Sequence, residues 1–541
     1  MNRPELLSLL LLAALCTACS NRADSSGDAM VFRYNESKGI TTLDPAFARN
    51  QTIIWPVSQV FNGLVQLDHK LEVKPSIAKK WMVSDDGLTY TFYLRRDVRF
   101  HPSGSFNGDP PFVNAADFVY SFSRIQDPSL ASPGGWIFEY VDTDSGFTAV
   151  NDTILKIQLS SPFPPFLSIL AMPYCSVVPQ QVVEDPEADF GHHPVGTGPF
   201  KFKIWSPDEK LVLVRNDQYF EMDMDGQSLP YLDGIAVTFI KDKQSEFLEF
   251  LKGNIDFLSG VHPAYKDELL TRSGTLNPAY NNKIRLITVP YLNTEYLGIL
   301  QKGGGEENIL LDRKIRKAIN HGFDREKMMK YLRNNLGYPA NAGMIPPGLP
   351  GHLEPGDGYT YNPELARHLL GESAYAGEVL PVITLTTTSD YLDLCEYIQF
   401  ELNKIGIDID IEVSTGGAFR NMVANGNLPF FRGSWIADYA DAENYMALFY
   451  SGNFAPEGPN YTRFHSPEFD QMYEQSLLEP DPDERAGLYH SMDSLIVAEA
   501  PVVPLYYDKV VRFSQMNIMG FQPDPMNNLV LKTLKKVQQE K

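Results

Sequence analysis

The sequence predicts an α/β protein, chiefly because strand and helix patterns alternate along residues 382–435. In chain order this segment holds a β-branched strand at 382–387, a helix with apolar Leu394, Ile398, Leu402 and Ile405, an alternating strand at 407–413, a short helix at 419–424 and a third strand at 430–435. Ser389 or Asp390 is a candidate N-cap for the first helix. Elements of these lengths in this order predict a parallel unit with right-handed crossovers.

Other segments show the same mixture of patterns. Helices are expected at 115–125 behind a capping Asn114, at 244–252, at 314–320, and at 325–332 behind a capping Asp324; strands are expected at 88–94, 200–204 and 255–258. An α/β class therefore describes most of the chain.

Composition limits the function classes. The chain has 541 residues, of which 43% are hydrophobic, so it can bury several cores. Its formal net charge of -22 would repel nucleic-acid phosphates. We therefore expect a globular protein that does not bind nucleic acid.

The N-terminus indicates export. Residues 6–15 form an apolar run that is too short to span a bilayer and fits the core of a signal peptide. Cys19 follows small residues and precedes a polar stretch, which resembles a lipidation site. Lipidation of Cys19 is the favoured interpretation, and an ordinary cleaved signal with an incidental cysteine is the alternative.

Motifs for catalysis or metal binding are lacking in the sequence. There is no paired-histidine zinc motif and no phosphate loop, so we expect no enzyme activity, no cofactor and no metal site. Cys175 and Cys395 lie far apart and are expected to be buried core residues.

Asp438 stands out because of its place in the predicted sheet. Ligands of open parallel sheets bind beyond the carboxyl ends of the strands, and Asp438 lies just past the third strand, between Trp435 and Tyr439. It could pair with a ligand ammonium while the rings wall the site. Alternatively, Asp438 caps a helix beginning near Glu443, and Trp435 belongs to the core.

An ordered series of motifs extends across the chain beyond residue 43. It comprises Leu43-Asp44-Pro45, Val60-Phe61-Asn62-Gly63-Leu64, Pro75-Ser76-Ile77-Ala78, Gly196-Thr197-Gly198-Pro199-Phe200, Gly253-Asn254-Ile255-Asp256, Asp312-Arg313-Lys314-Ile315-Arg316 and Trp435-Ile436-Ala437-Asp438-Tyr439. Together these motifs resemble the peptide/nickel-type family (family 5) of extracytoplasmic solute-binding proteins of ABC importers, and most of all its oligopeptide- and dipeptide-binding members.

The resemblance implies a two-lobed type II periplasmic-binding-protein fold with three domains and a hinge near Pro290 and Asp508. A signal peptide (1–18) and a lipidated tether (19–30) would precede a discontinuous domain I (31–65, 197–287 and 510–541), with domain II at 66–196 and domain III at 288–509.

The resemblance also implies a ligand site. Asp438 would hold a peptide α-ammonium, and the strand Ser434 to Ile436, with the adjoining Ala437, would pair with the peptide backbone. The other implied site residues are the rings of Trp435, Tyr439 and Trp136, Arg432 for a peptide carboxylate, and Asn50 and Gln51 on the facing lobe. For Arg432, a surface ion pair is the alternative.

Three positions depart from the family pattern. Trp136, after Gly134-Gly135, stands where a tyrosine is expected near the ligand amine. Arg49 replaces a glutamate that some members carry, and Val423 replaces a second carboxylate-binding arginine. The length preference for peptides therefore stays open.

The resulting hypothesis is a monomeric, lipid-anchored, extracytoplasmic binding protein that delivers short peptides to a membrane permease and its ATPase. The alternatives are capture of nickel, haem or another small solute, and a sensory or chaperone-like lipoprotein that does not take part in transport.

Overall fold

A computed structural model describes residues 29–262, 265–302 and 308–537. The predicted signal peptide, most of the tether and Cys19 lie outside these ranges. Within them, no helix is both long enough and apolar enough to cross a membrane.

Strands make up two larger sheets and two two-stranded sheets. The strands are β1 Val31–Asn35, β2 Val65–Leu67, β3 Val73–Pro75, β4 Ala78–Val83, β5 Thr89–Leu94, β6 Phe147–Asn151, β7 Ile154–Gln158, β8 Phe200–Ser206, β9 Lys210–Arg215, β10 Gly234–Thr238, β11 Phe257–Ser259, β12 Ile284–Ile299, β13 Tyr338–Pro339, β14 Ile383–Thr387, β15 Ile409–Val413, β16 Phe430–Ile436, β17 Val502–Gln515, β18 Ile518–Met519 and β19 Lys535–Lys536. The large sheet has the order β15-β14-β16-β12-β17-β11-β1-β10-β9-β8, with β13 also on β17. The second sheet is β4-β5-β7-β6, and the two-stranded sheets are β2 with β3 and β18 with β19.

Helices flank these sheets. They are α1 Gln51–Val60, α2 Ala115–Gln126, α3 Phe166–Ile169, α4 Gln180–Val183, α5 Lys243–Leu251, α6 Lys266–Leu269, α7 Arg313–His321, α8 Arg325–Leu332, α9 Pro363–Gly371, α10 Leu392–Asn403, α11 Gly416–Ala424, α12 Glu443–Met446, α13 Pro467–Leu478 and α14 Pro482–Glu499. The caps predicted at Asn114 and Asp324 are confirmed, because each side chain accepts a hydrogen bond from the first turn of its helix.

The predicted parallel unit is confirmed. β14 pairs in parallel with β15 and with β16, and α10 and α11 form the two crossovers. The cap prediction at Ser389 or Asp390 is wrong: these two residues lie in a 3₁₀ turn, and α10 begins behind Tyr391 without a side-chain cap.

Two long strands join the halves of the large sheet. β12 and β17 pair antiparallel along their length, but the register shifts between Pro290 and Thr294, opposite Asp508. On one side of this break the sheet continues to β16, β14 and β15, and on the other to β11, β1 and β10. The predicted hinge positions, Pro290 and Asp508, both lie at the break.

The apolar cores are divided between the two halves of the large sheet. One cluster includes β1, β5 and α2 and covers most of the buried apolar side chains between Phe32 and Phe257. Separate clusters fill the part of the chain around β14 and α10 and the part around α12 and α14. Tyr439 is the one buried side chain from the predicted domain III that belongs to the first cluster, among the residues that the structure describes.

A buried carboxylate connects α14 to the loop at 343–345. Asp493 accepts hydrogen bonds from the backbone N–H groups of Met344 (2.7 Å) and Ile345 (3.1 Å). A Cβ on Gly343 would lie 2.2 Å from this carboxyl, so only glycine allows the approach. Burial raises the pKa of Asp493 to about 7.

This shift predicts the pH dependence of stability. Because the folded pKa is raised, the contribution of Asp493 to the free energy of unfolding is fully present below its unfolded pKa and is lost as pH rises towards 7. Asp493→Asn should therefore be more destabilising at pH 5 than at pH 8, by on the order of 2 kcal/mol. Urea unfolding of native protein and variant at both pH values tests this. The exposed Asp410→Asn is the control, and an equal cost of Asp493→Asn at both pH values would contradict the assignment.

Candidate functional site

The carboxyl-terminal half of β16 has one unpaired edge. One edge of β16 pairs with β12 from Phe430 to Ile436, whereas β14 pairs with the other edge only at Phe431. Ala437 N–H donates to Leu292 O on β12 at 2.9 Å. In an antiparallel pair, successive residues of a strand direct their N–H and C=O groups alternately towards the partner strand and away from it. The N–H and C=O groups of Ser434 and Ile436 therefore point to the open edge, where no described strand meets them.

Asp438 lies just beyond this edge. It is exposed, and no described residue forms an ion pair with it. Desolvation by the surrounding walls nevertheless raises the pKa of its carboxyl, because the protein encloses it on several sides while one side stays open to water. An unpaired carboxylate in such a recess favours a cationic ligand group.

Asn444 holds the turn that carries Asp438. Its side-chain oxygen accepts hydrogen bonds from Asp438 N–H at 3.1 Å and from Trp435 Nε1 at 2.9 Å. The structure does not support the alternative that Asp438 caps α12, since Asp441 accepts from Glu443 N–H instead. Trp435 packs against the core around α12, as the core alternative states.

Tyr439 lies between the lobes. Its ring lies 6.2 Å from that of Trp136 and 6.4 Å from that of Phe163, and its hydroxyl donates to the buried Glu443. Tyr439 is buried, while Trp136 is 42% exposed. Of these two predicted ring residues, Trp136 thus keeps exposed surface, whereas Tyr439 mainly joins the lobes.

Arg432 has a protein partner. Its guanidinium forms an ion pair with the buried Glu295 on β12 and lies 3.2 Å from the centre of the Tyr391 ring. Ser434 donates to Glu295 and Asn293, each at 3.0 Å. These contacts favour the ion-pair alternative for Arg432, although the partner is buried rather than on the surface.

Asn50 and Gln51 lie at the start of α1. Asn50 is exposed and caps the helix, and its side chain accepts from Ile53 N–H. Gln51 donates to the Tyr291 hydroxyl at 3.4 Å, which joins α1 to the register break in β12. Gln51 therefore lies near the predicted hinge position Pro290.

The sequence analysis missed Glu295 and Asn444. Glu295 is a charged residue within an apolar strand, a signal of a buried pair that the sequence does contain. Asn444 carries no such signal, because its contacts with Trp435 and Asp438 depend on how the turn between β16 and α12 folds back. Cys175 and Cys395 are buried and unpaired, as predicted. No cluster of three or more metal-ligating side chains occurs within the described ranges.

Comparison with known proteins identifies relatives over nearly the whole chain. A family model described as bacterial extracellular solute-binding proteins, family 5 middle, matches residues 72–456. The chain is 27% identical to the dipeptide-binding protein DppE of Bacillus subtilis, over 95% of this chain and 93% of the relative. It is also 27% identical to the glutathione-binding protein GsiB of Salmonella choleraesuis, over 94% and 95%.

A solved structure is similar over the same extent. The binding protein DppA from Helicobacter pylori, in complex with the peptide STSA, superposes with a TM-score of 0.72 at 25% identity, covering 94% of this chain and 98% of that one. The fold is the predicted type II periplasmic-binding-protein fold. The chain belongs to family 5 of the bacterial extracellular solute-binding proteins.

Proposed function

We propose that the protein captures short peptides between its lobes and delivers them to the permease of an ABC importer. The unpaired edge of β16 carries this proposal. An extended peptide laid along Ser434 and Ile436 would bond to their free N–H and C=O groups. Main-chain pairing of this kind binds peptides without reading their side chains.

Asp438 would determine which end of the strand-like peptide lies at the carboxyl end of β16. Because this carboxylate follows the open edge and lacks a cation, it would pair with the α-ammonium at the start of the peptide. Relatives named for dipeptide and glutathione binding, and the solved complex with the peptide STSA, support this class of ligand.

Lobe closure is the proposed mechanism, with no chemical step. Tyr439 contacts Trp136 and Phe163, which the proposed domain boundaries assign to the facing lobe, so a ligand that bridges the lobes would favour this closed arrangement. We also propose that the protein is extracytoplasmic and monomeric, held at a bacterial membrane by lipid on Cys19, with the permease and its ATPase as partners.

The ammonium role of Asp438 predicts the behaviour of a neutral variant. Asp438→Asn should weaken the binding of tri-alanine about 100-fold or more, since an ammonium would lose its charged partner in a desolvated recess. Titration calorimetry of protein freed of bound ligand by unfolding and refolding measures this. Asp410→Asn, an exposed change on β15, should bind like the native protein. Equal affinities of native protein and Asp438→Asn would remove Asp438 from the site.

Lipidation of Cys19 predicts that the native protein and Cys19→Ala differ in fatty-acid labelling and in recovery with membranes. In a bacterial host supplied with an alkyne fatty acid, the native chain should be labelled and recovered with membranes. Cys19→Ala should lose both the label and the membrane fraction, because the thiol that carries the lipid is gone. Cys16→Ala is the matched control and should keep both. If Cys19→Ala stays labelled and membrane-bound, Cys19 is not the anchor.

A further inference from the structure

Glu443 is a buried charged group that the proposed peptide site does not use. It lies at the start of α12 and is 2% exposed. Its two carboxylate oxygens each accept one hydrogen bond, from the hydroxyl groups of Tyr439 and Tyr473. Burial raises the pKa of Glu443 to about 7, and no cation among the described residues opposes that shift. A buried carboxylate without a cation is costly, which points to a role beyond packing.

The two rings that bond to Glu443 belong to different apolar clusters. Tyr473 on α13 stacks on Tyr450, with ring centres 4.5 Å apart, within the cluster around α12 and α14. Tyr439 belongs instead to the first cluster, which is built mainly from the part of the chain between Phe32 and Phe257. Glu443 therefore holds one ring in its own half of the molecule and one ring that enters the other half.

Three rings of the other half surround the Tyr439 ring. Phe163 stacks on Tyr140, with ring centres 4.2 Å apart and ring planes 6° apart. The Tyr439 ring meets Phe163 edge-on at 6.4 Å and lies 6.2 Å from Trp136, within the range of favourable aromatic pairs. We call Trp136, Tyr140 and Phe163 the three-ring group. The proposed domain boundaries assign all three to the facing lobe, so this is a contact between the lobes.

The bond to Glu443 solves a problem that this contact creates. A tyrosine ring that enters an apolar cluster takes its hydroxyl out of water, and a buried hydroxyl without a partner is unfavourable. Glu443 lies four residues after Tyr439, so the bond does not depend on the facing lobe. The turn between them is itself fixed, because Asp441 N–H donates to Tyr439 O and the Asp441 carboxylate accepts from Glu443 N–H, each at 2.9 Å.

We propose that Glu443 is a positioning residue, which holds Tyr439 in the orientation that enters the three-ring group when the lobes close. The pair would thereby determine the affinity for peptides without contacting them, since the apparent dissociation constant rises as the closed fraction falls. Tyr439 then acts in closure rather than as the ligand wall expected from the sequence. This inference rests on the proposed function and adds a determinant of closure at the same site.

A double-mutant cycle on the bond between Glu443 and Tyr439 tests this role. Calorimetry measures the affinity for tri-alanine of ligand-free native protein, Glu443→Ala, Tyr439→Phe and the double variant. Each single change should weaken binding about tenfold, which corresponds to about 1.4 kcal/mol, because closure then buries a hydroxyl or a carboxylate oxygen without its partner. The double variant leaves neither group of this bond unpaired and should bind at least as tightly as either single variant.

Binding kinetics separate positioning from a general loss of structure. The contact of Tyr439 forms after the peptide has entered, so both single variants should raise the dissociation rate about tenfold and leave the association rate within about twofold, in stopped-flow measurements. Glu443→Gln should restore part of the affinity, because its amide oxygen can still accept from Tyr439. Tyr450→Phe, which removes a 2.9 Å bond between a tyrosine and Glu474 outside the three-ring group, is the matched control and should bind like the native protein.

The outcomes separate this proposal from peptide capture. Native affinity in Tyr439→Phe, a loss confined to the association rate, or additive losses in the double variant would overturn the role of Glu443 and leave peptide capture standing. Tyr439→Phe removes a single oxygen, so with Glu443→Gln it decides the matter even where Glu443→Ala fails to fold. Failure of the native protein to bind tri-alanine would overturn peptide capture itself.

Discussion

The pairing of β12 with β17 is the constraint on which the rest of the structure depends. These two strands run from one half of the large sheet to the other, and their register is broken at Pro290 to Thr294, opposite Asp508. Buried polar groups fill the break: Asn293 Nδ2 lies 3.4 Å from Asp508 Oδ2, and burial raises the pKa of Asp508 to about 6. The register shifts again between Glu295 and Tyr296. A ladder interrupted over this short stretch is easier to bend there than elsewhere, because fewer backbone hydrogen bonds resist the motion.

The functional groups lie on both sides of this break. Asp438 and the open edge of β16 belong to the half built on β14 and α10, whereas Trp136 adjoins Ile137 and Phe138 in the first apolar cluster, which belongs to the other half. Bending at the break therefore changes the distance between the two groups of residues. A ligand that contacts both groups would gain its full set of interactions only in the closed arrangement, which couples binding to closure.

Local patterns were enough to predict the parallel unit and the place of Asp438. The apolar spacing from Leu394 to Ile405 and the alternation from residue 407 are properties of short segments, and position at a strand end follows from topology. The partner of Arg432 and the contacts of Tyr439 depend on residues more than 130 and about 300 positions away, respectively. No pattern within a segment reports such pairs. The prediction of a cap at Ser389 or Asp390 was wrong because these residues form a 3₁₀ turn before α10 begins.

Hydrogen–deuterium exchange at individual amides of β16 tests the central claim most directly, namely that a peptide adds to the open edge. The N–H groups of Ser434 and Ile436 should exchange quickly in the ligand-free protein and slow markedly with saturating tri-alanine. Those of Gly433 and Trp435 already bond to β12 and should change far less, so they serve as internal controls. Binding of tri-alanine without protection of Ser434 and Ile436 would contradict the account.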